Sequence, residues 1–206
     1  MLLSTRFNYP GVRLIVCFII CFSILFMITP AKAGTSGTGL LKENPSEGQE
    51  VRTIQGSPLI ISNKIYRVAI LPDSIMMRKG DLIRFSLMIS NPTDDPLEFK
   101  MTDIKVHTND GDMQLVTDEM MIEKIRKEFS NEEYDINKDQ EKILKPYIEE
   151  KIRILENSLL KDHTLQPGKQ MKGMMAIEYP SGKSNLTFEI NTPAETHKFD
   201  FSVIEF

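Results

Sequence analysis

Beyond residue 56 the chain keeps returning to a two-residue rhythm of apolar and polar side chains, the mark of strands with one buried face. Tyr66, Val68 and Ile70 fall on one side and Arg67 on the other. Ile83, Phe85, Leu87 and Ile89 share a face opposite Arg84 and Ser86, while Leu97, Phe99 and Met101 alternate with Glu98 and Lys100. Ile104 and Val106 resume on the opposite parity, which predicts a bulge near Thr102–Asp103. Later, Gly173, Met175, Ile177 and Tyr179 form one face, Leu186, Phe188 and Ile190 a second, and Phe199, Phe201 and Val203 a third. Turn formers punctuate the runs at Ser62-Asn63, Lys79-Gly80-Asp81, Asn91 to Pro96, Pro180 to Lys183 and Asn191-Thr192-Pro193. Asn109-Asp110-Gly111 suits a tight hairpin. Antiparallel β structure of about eight or nine strands follows.

Between residues 117 and 162 the apolar spacing changes to three and four. Thr117 is placed to cap a helix carrying Met120, Met121, Lys124, Ile125 and Phe129, with Asp118 and Glu119 favourable at its positive end. After a polar break at Ser130–Lys138, a second set runs Ile143, Leu144, Tyr147, Ile148, Ile152, Leu155 and Leu159. Pro146 predicts a kink there or a fresh helix start. Glu149 and Arg153 have the spacing of an i,i+4 ion pair. The expected layout is therefore a mainly β domain over residues 57–206 with an α-helical insertion at 117–162. The final FDFSVIEF reads as a buried closing strand, because strands with polar outer faces make no lipid-facing band.

The first 33 residues have a different character. Arg6 and Arg13 precede an apolar run from Leu14 to Ile28, about 22 Å of helix and too short for a bilayer core of roughly 30 Å. Pro30 ends the run, and Ala31-Lys32-Ala33 supplies the small residues a signal peptidase reads. Residues 1–33 are thus expected to be a signal peptide cleaved after Ala33; an uncleaved segment holding the domain on the outer face of the membrane is the alternative. Residues 34–56, rich in Gly, Ser, Thr and acids, read as a flexible leader. The protein is expected in the periplasm or outside the cell.

That expectation changes the chemistry. Both cysteines, Cys17 and Cys21, lie in the apolar run, so the exported chain has no disulfide, thiol nucleophile or Cys-ligated zinc. Losing residues 1–33 removes three bases and no acids, leaving 22 basic against 29 acidic residues. An acidic body argues against nucleic acid and against anionic lipid surfaces, and with no second apolar stretch long enough to cross a bilayer no membrane insertion is expected after signal cleavage.

The segments Gly80–Asn91 (GDLIRFSLMISN), Pro96–Val106 (PLEFKMTDIKV), Leu165–Tyr179 (LQPGKQMKGMMAIEY) and Leu186–Ile190 together resemble the immunoglobulin-like β-sandwich modules of bacterial extracytoplasmic proteins. The resemblance implies an immunoglobulin-like antiparallel β-sandwich. The helical insertion departs from the simple module, and no catalytic, cofactor or ligand residue is carried over from it.

Candidate chemistry is sparse. His107, His163 and His197 lie far apart in sequence, and no G-x-S-x-G, H-E-x-x-H, Walker or dinucleotide motif accompanies them, so a hydrolase-type enzyme ranks third. A periplasmic copper-handling protein ranks second, because thioether and imidazole ligands select Cu(I); His163, Met171, Met174 and Met175 are the candidates. Asn185-Leu186-Thr187 matches a glycosylation sequon, though Leu186 reads as inward in a strand. The insertion carries thirteen acids against nine bases, and either covers the sheet or receives a partner. The leading expectation is an exported, non-catalytic binding or assembly module, without cofactor, whose partner is another envelope or extracellular protein.

Overall fold

The computed structural model describes residues 38–78, 80–129, 138–179 and 185–205. The expected signal segment and the turns at Pro180–Lys183 and most of Ser130–Lys138 lie outside them. The described part is mainly β, with antiparallel sheets and two helices. Its strands are β1 (Thr38–Glu43), β2 (Gln49–Ile54), β3 (Ser57–Asn63), β4 (Arg67–Pro72), β5 (Met76–Arg78), β6 (Leu82–Ser90) and β7 (Leu97–Phe99). They continue as β8 (Ile104–Thr108), β9 (Gly111–Met113), β10 (His163–Leu165), β11 (Gln170–Glu178), β12 (Asn185–Asn191) and β13 (Thr196–Glu205). The helices are α1 (Asp118–Phe129) and α2 (Lys138–Ser158).

One sheet has the order β5-β1-β13-β12-β8-β9, the other β11-β6-β4-β3-β2, and β10 pairs with β7 as a small third. Inward side chains of both large sheets merge into one apolar cluster. Phe85 of β6 meets Phe188 of β12 edge-on at 4.6 Å between ring centres, and Phe201 of β13 lies 5.7 Å away. Such aromatic contacts add about 0.5–1.5 kcal/mol to the burial itself. Of the strand side chains expected inward, all are buried except Met101 and Tyr179, which pack partly buried against the cluster. Ile204 points outward without breaking the alternation of Phe199, Phe201 and Val203.

Several expectations are corrected. The stretch 34–56 is not a flexible leader from Thr38 onward, since β1 sits between β5 and β13, and β2 pairs with β3 along its whole length. Gly39 is there for packing, since a Cβ on it would lie 2.7 Å from the Tyr179 hydroxyl oxygen, while Gly48 and Gly56 take positive φ. Among the described residues thirteen strands, some of three residues, replace the expected eight or nine. The parity change after Met101 is made by a 3-10 turn at Met101–Asp103 rather than a bulge; it carries the chain from β7 to β8 in the six-stranded sheet. Asn91, 1% exposed, organises the Asn91–Pro96 loop: its amide donates to the carbonyls of Asp95 (2.7 Å) and Leu165 (3.0 Å).

The insertion caps as expected, with the Met120 N–H reaching Thr117 Oγ1 at 3.4 Å. Helix α2 runs on through Pro146 instead of restarting there. Arg153 pairs with Glu150 (2.7 and 2.8 Å), the nearer fork partner, instead of Glu149. Val116, Met121, Leu155 and Leu159 cover Leu82, Met174 and Ala176 on the outer face of β6 and β11, forming a second apolar cluster. Met120, expected on the apolar side, is 47% exposed. The flanks of the insertion are stitched to β11: the Val116 N–H donates to Ala176 O (2.9 Å) and the Leu160 N–H to Met174 O (2.8 Å). Lys124 Nζ also donates to Gly80 O at 2.5 Å.

Candidate functional site

A polar constellation grows from the hairpin at Asn109-Asp110. Thr108 pairs with Gly111 and His107 with Asp112, leaving two residues in the loop. Gly111 takes φ +133°, which an L side chain resists, and the Asp110 N–H donates to Thr108 Oγ1 at 3.2 Å. This register sets His107 Nδ1 2.6 Å from Asp112 Oδ1. On the other side β12 brings Thr187 opposite His107, and Glu189 Oε2 lies 3.5 Å from His107 Nε2. Thr187 Oγ1 in turn donates to Asp200 Oδ1 at 2.5 Å. The result is a polar ladder across β9, β8, β12 and β13 on the outer face of the sheet.

His107 and Asp112 also rim a groove of about 780 Å3 that follows the β9 edge. Its opposite wall is the stretch entering α1 and the exit segment Leu160–Asp162. Met101, Met113 and Leu115, partly buried against the main core, give it an apolar lining. Asp112, Asp118, Lys161 and Asp162 supply charge. The Met101 N–H donates to Asp162 Oδ1 at 2.7 Å, which holds the exit of the insertion against the 3-10 turn.

His197 is the second residue of β13. It is fully buried between the large sheets, with Nδ1 2.9 Å from Ser62 Oγ. Nε2 lies 3.1 Å from Glu195 Oε1, yet makes no hydrogen bond among the described residues; that carboxylate oxygen accepts the Tyr66 N–H at 2.8 Å. Burial pushes the His197 pKa below its usual value; Glu195 opposes this and Lys64 adds to it. The contact joins β3 to β13 and is structural in placement.

The copper candidates are not brought together. Met175 is in the main core and Met174 in the second cluster, on the other face of β11. Met171 packs against the main core, and His163 is exposed on β10 opposite Phe99. Adjacent strand residues point to opposite faces, so Met174 and Met175 cannot grip one ion. No group of three or more His, Cys, Asp or Glu side chains suited to a metal occurs among the described residues. Asn185 of the sequon is exposed and Leu186 fully buried. No described helix is long and apolar enough to cross a membrane. The His107–Asp112 pair was missed as a pair, although a two-residue loop at Asn109-Asp110 implies it.

No protein-family model and no curated protein matches the chain. Among solved structures it is similar to the crystal structure of the yjhA protein from Bacillus subtilis, with 10% identity and a TM-score of 0.34 over 68% of this chain and 78% of that chain. A likeness at that level leaves function to the chain's own residues.

Proposed function

We propose that the chain is an exported, non-catalytic binding or assembly module built as an immunoglobulin-like β-sandwich, and that the groove beside β9 receives another envelope or extracellular protein. The observation that carries this reading is the groove itself: an apolar lining backed by the core, with a charged rim, has the anatomy of a protein contact. The core shared by the two large sheets supports the sandwich. The charged start, short apolar run and Ala31-Lys32-Ala33 support export. Cleavage after Ala33 would leave four residues ahead of β1, so the whole sheet would survive processing.

The test is capture of a partner from the protein's own envelope fraction with the wild type and with Asp112→Arg/Asp118→Arg. The wild type is expected to retain a partner that the variant releases. Equal retention by both, or none by the wild type, overturns the groove. N-terminal sequencing is expected to begin at Gly34, and a Met1 start would favour the anchored alternative.

A further inference from the structure

Strand β2 ends the five-stranded sheet, and among the described residues no strand pairs with its outer side. Every residue from Glu50 to Ile54 is exposed, Val51 and Ile54 by 38% and 43%. The strand has neither proline nor any bulge in its pairing with β3, so its edge is a template for another strand. Its two charges define which strand fits. Glu50 and Arg52 share a face, with Arg52 Nε 2.6 Å from Glu50 Oε1.

In an antiparallel pair, directly opposed residues point to the same face, so a two-fold pairing of β2 with itself in one continuous sheet must centre on a residue. Centring on Glu50 sets Glu50 against Glu50 of the second copy, and centring on Arg52 sets Arg52 against Arg52. Centring on Val51 sets Glu50 against Arg52 of the second copy, twice, and Val51 against Val51. Like charges directly opposed are destabilising and opposite ones favourable. The three central registers are therefore unequal, and one alone is matched in charge.

We propose that β2 is a homodimer edge: a second copy of this chain adds its own β2 antiparallel about Val51, fusing two five-stranded sheets and covering both Val51 side chains. The proposal stands apart from the groove, and its test reads mass rather than partner capture, so the two readings fail separately.

Sedimentation of the protein purified as exported is expected to show a concentration-dependent dimer. Glu50→Arg and Arg52→Glu should each weaken it at least about tenfold, because each turns two attractions into two repulsions. The double swap Glu50→Arg/Arg52→Glu should restore it. An equimolar mixture of the two single variants should form a heterodimer, with far-UV circular dichroism unchanged throughout. A wild type monomeric at high concentration, or single variants that dimerise as well as the wild type, overturns the proposal. Should one single variant misfold, the other together with the double swap still decides.

Discussion

Gly173→Ala is expected to loosen the insertion's hold on the sheet. A Cβ at residue 173 would lie 2.5 Å from Leu160 Cα and 2.8 Å from both Leu160 N and Cδ1. Ordinary carbon contacts are about 3.5–4.0 Å, so the exit segment would have to retreat by about 1 Å. That segment is held by the Leu160 N–H to Met174 O bond at 2.8 Å, and Leu160 itself is 3% exposed in the main core. Overpacking costs about 1–3 kcal/mol and a weakened hydrogen bond about 1 kcal/mol, giving about 2–4 kcal/mol in all. Urea unfolding followed by circular dichroism would read this as a midpoint lowered by about 1–2 M at an unchanged slope near 2 kcal/mol/M. The sign is diagnostic. Where a strand glycine has open space, alanine is about 0.5–1 kcal/mol better, so a neutral or stabilising result would show that Leu160 does not approach β11 as described.

Three further outcomes are expected. Phe85→Ala removes a ring shared by the two large sheets and should cost about 3–5 kcal/mol in the same unfolding assay; an unaltered midpoint would refute the shared core. Because burial holds the folded His197 pKa below 6.5, the unfolded chain takes up its proton first as the pH falls. Its contribution is therefore fully present above that pH, declines below it and levels off beneath the folded pKa; His197→Gln should flatten the decline that sets in below pH 6.5, seen in urea midpoints measured on either side of it. Titration with Cu(I) should reveal no sub-micromolar site, since Met174 and Met175 occupy opposite faces of β11; tight uptake would mean that ligands assemble in some other way.

Much of the core was legible because burial in a strand repeats every two residues. The alternation Ile83-Phe85-Leu87-Ile89 needs no tertiary knowledge to assign its face, and the cap at Thr117 is likewise a local signal. Residues 38–54 failed for the opposite reason. Their glycines and charges match a linker's composition, yet Gly39 is small to admit the Tyr179 hydroxyl, and β1 is stabilised by β5 and β13, far along the chain. Composition reports conformational freedom in isolation and carries no record of a neighbour 160 residues away. The candidate site was half legible: the Asn109-Asp110 turn implied the hairpin, whereas the approach of Glu189 depended on β12 docking beside β8.

Local pattern settled which face of each long strand turns inward, where the helices lie and that the chain favours antiparallel strands, because those properties depend on a handful of adjacent residues. Strand order, the exposed edge at β2, the burial of His197 and the seating of the insertion across β11 came from the assembled fold. Each is set by which distant surfaces exclude water together, and that competition is decided among whole elements rather than along any one of them.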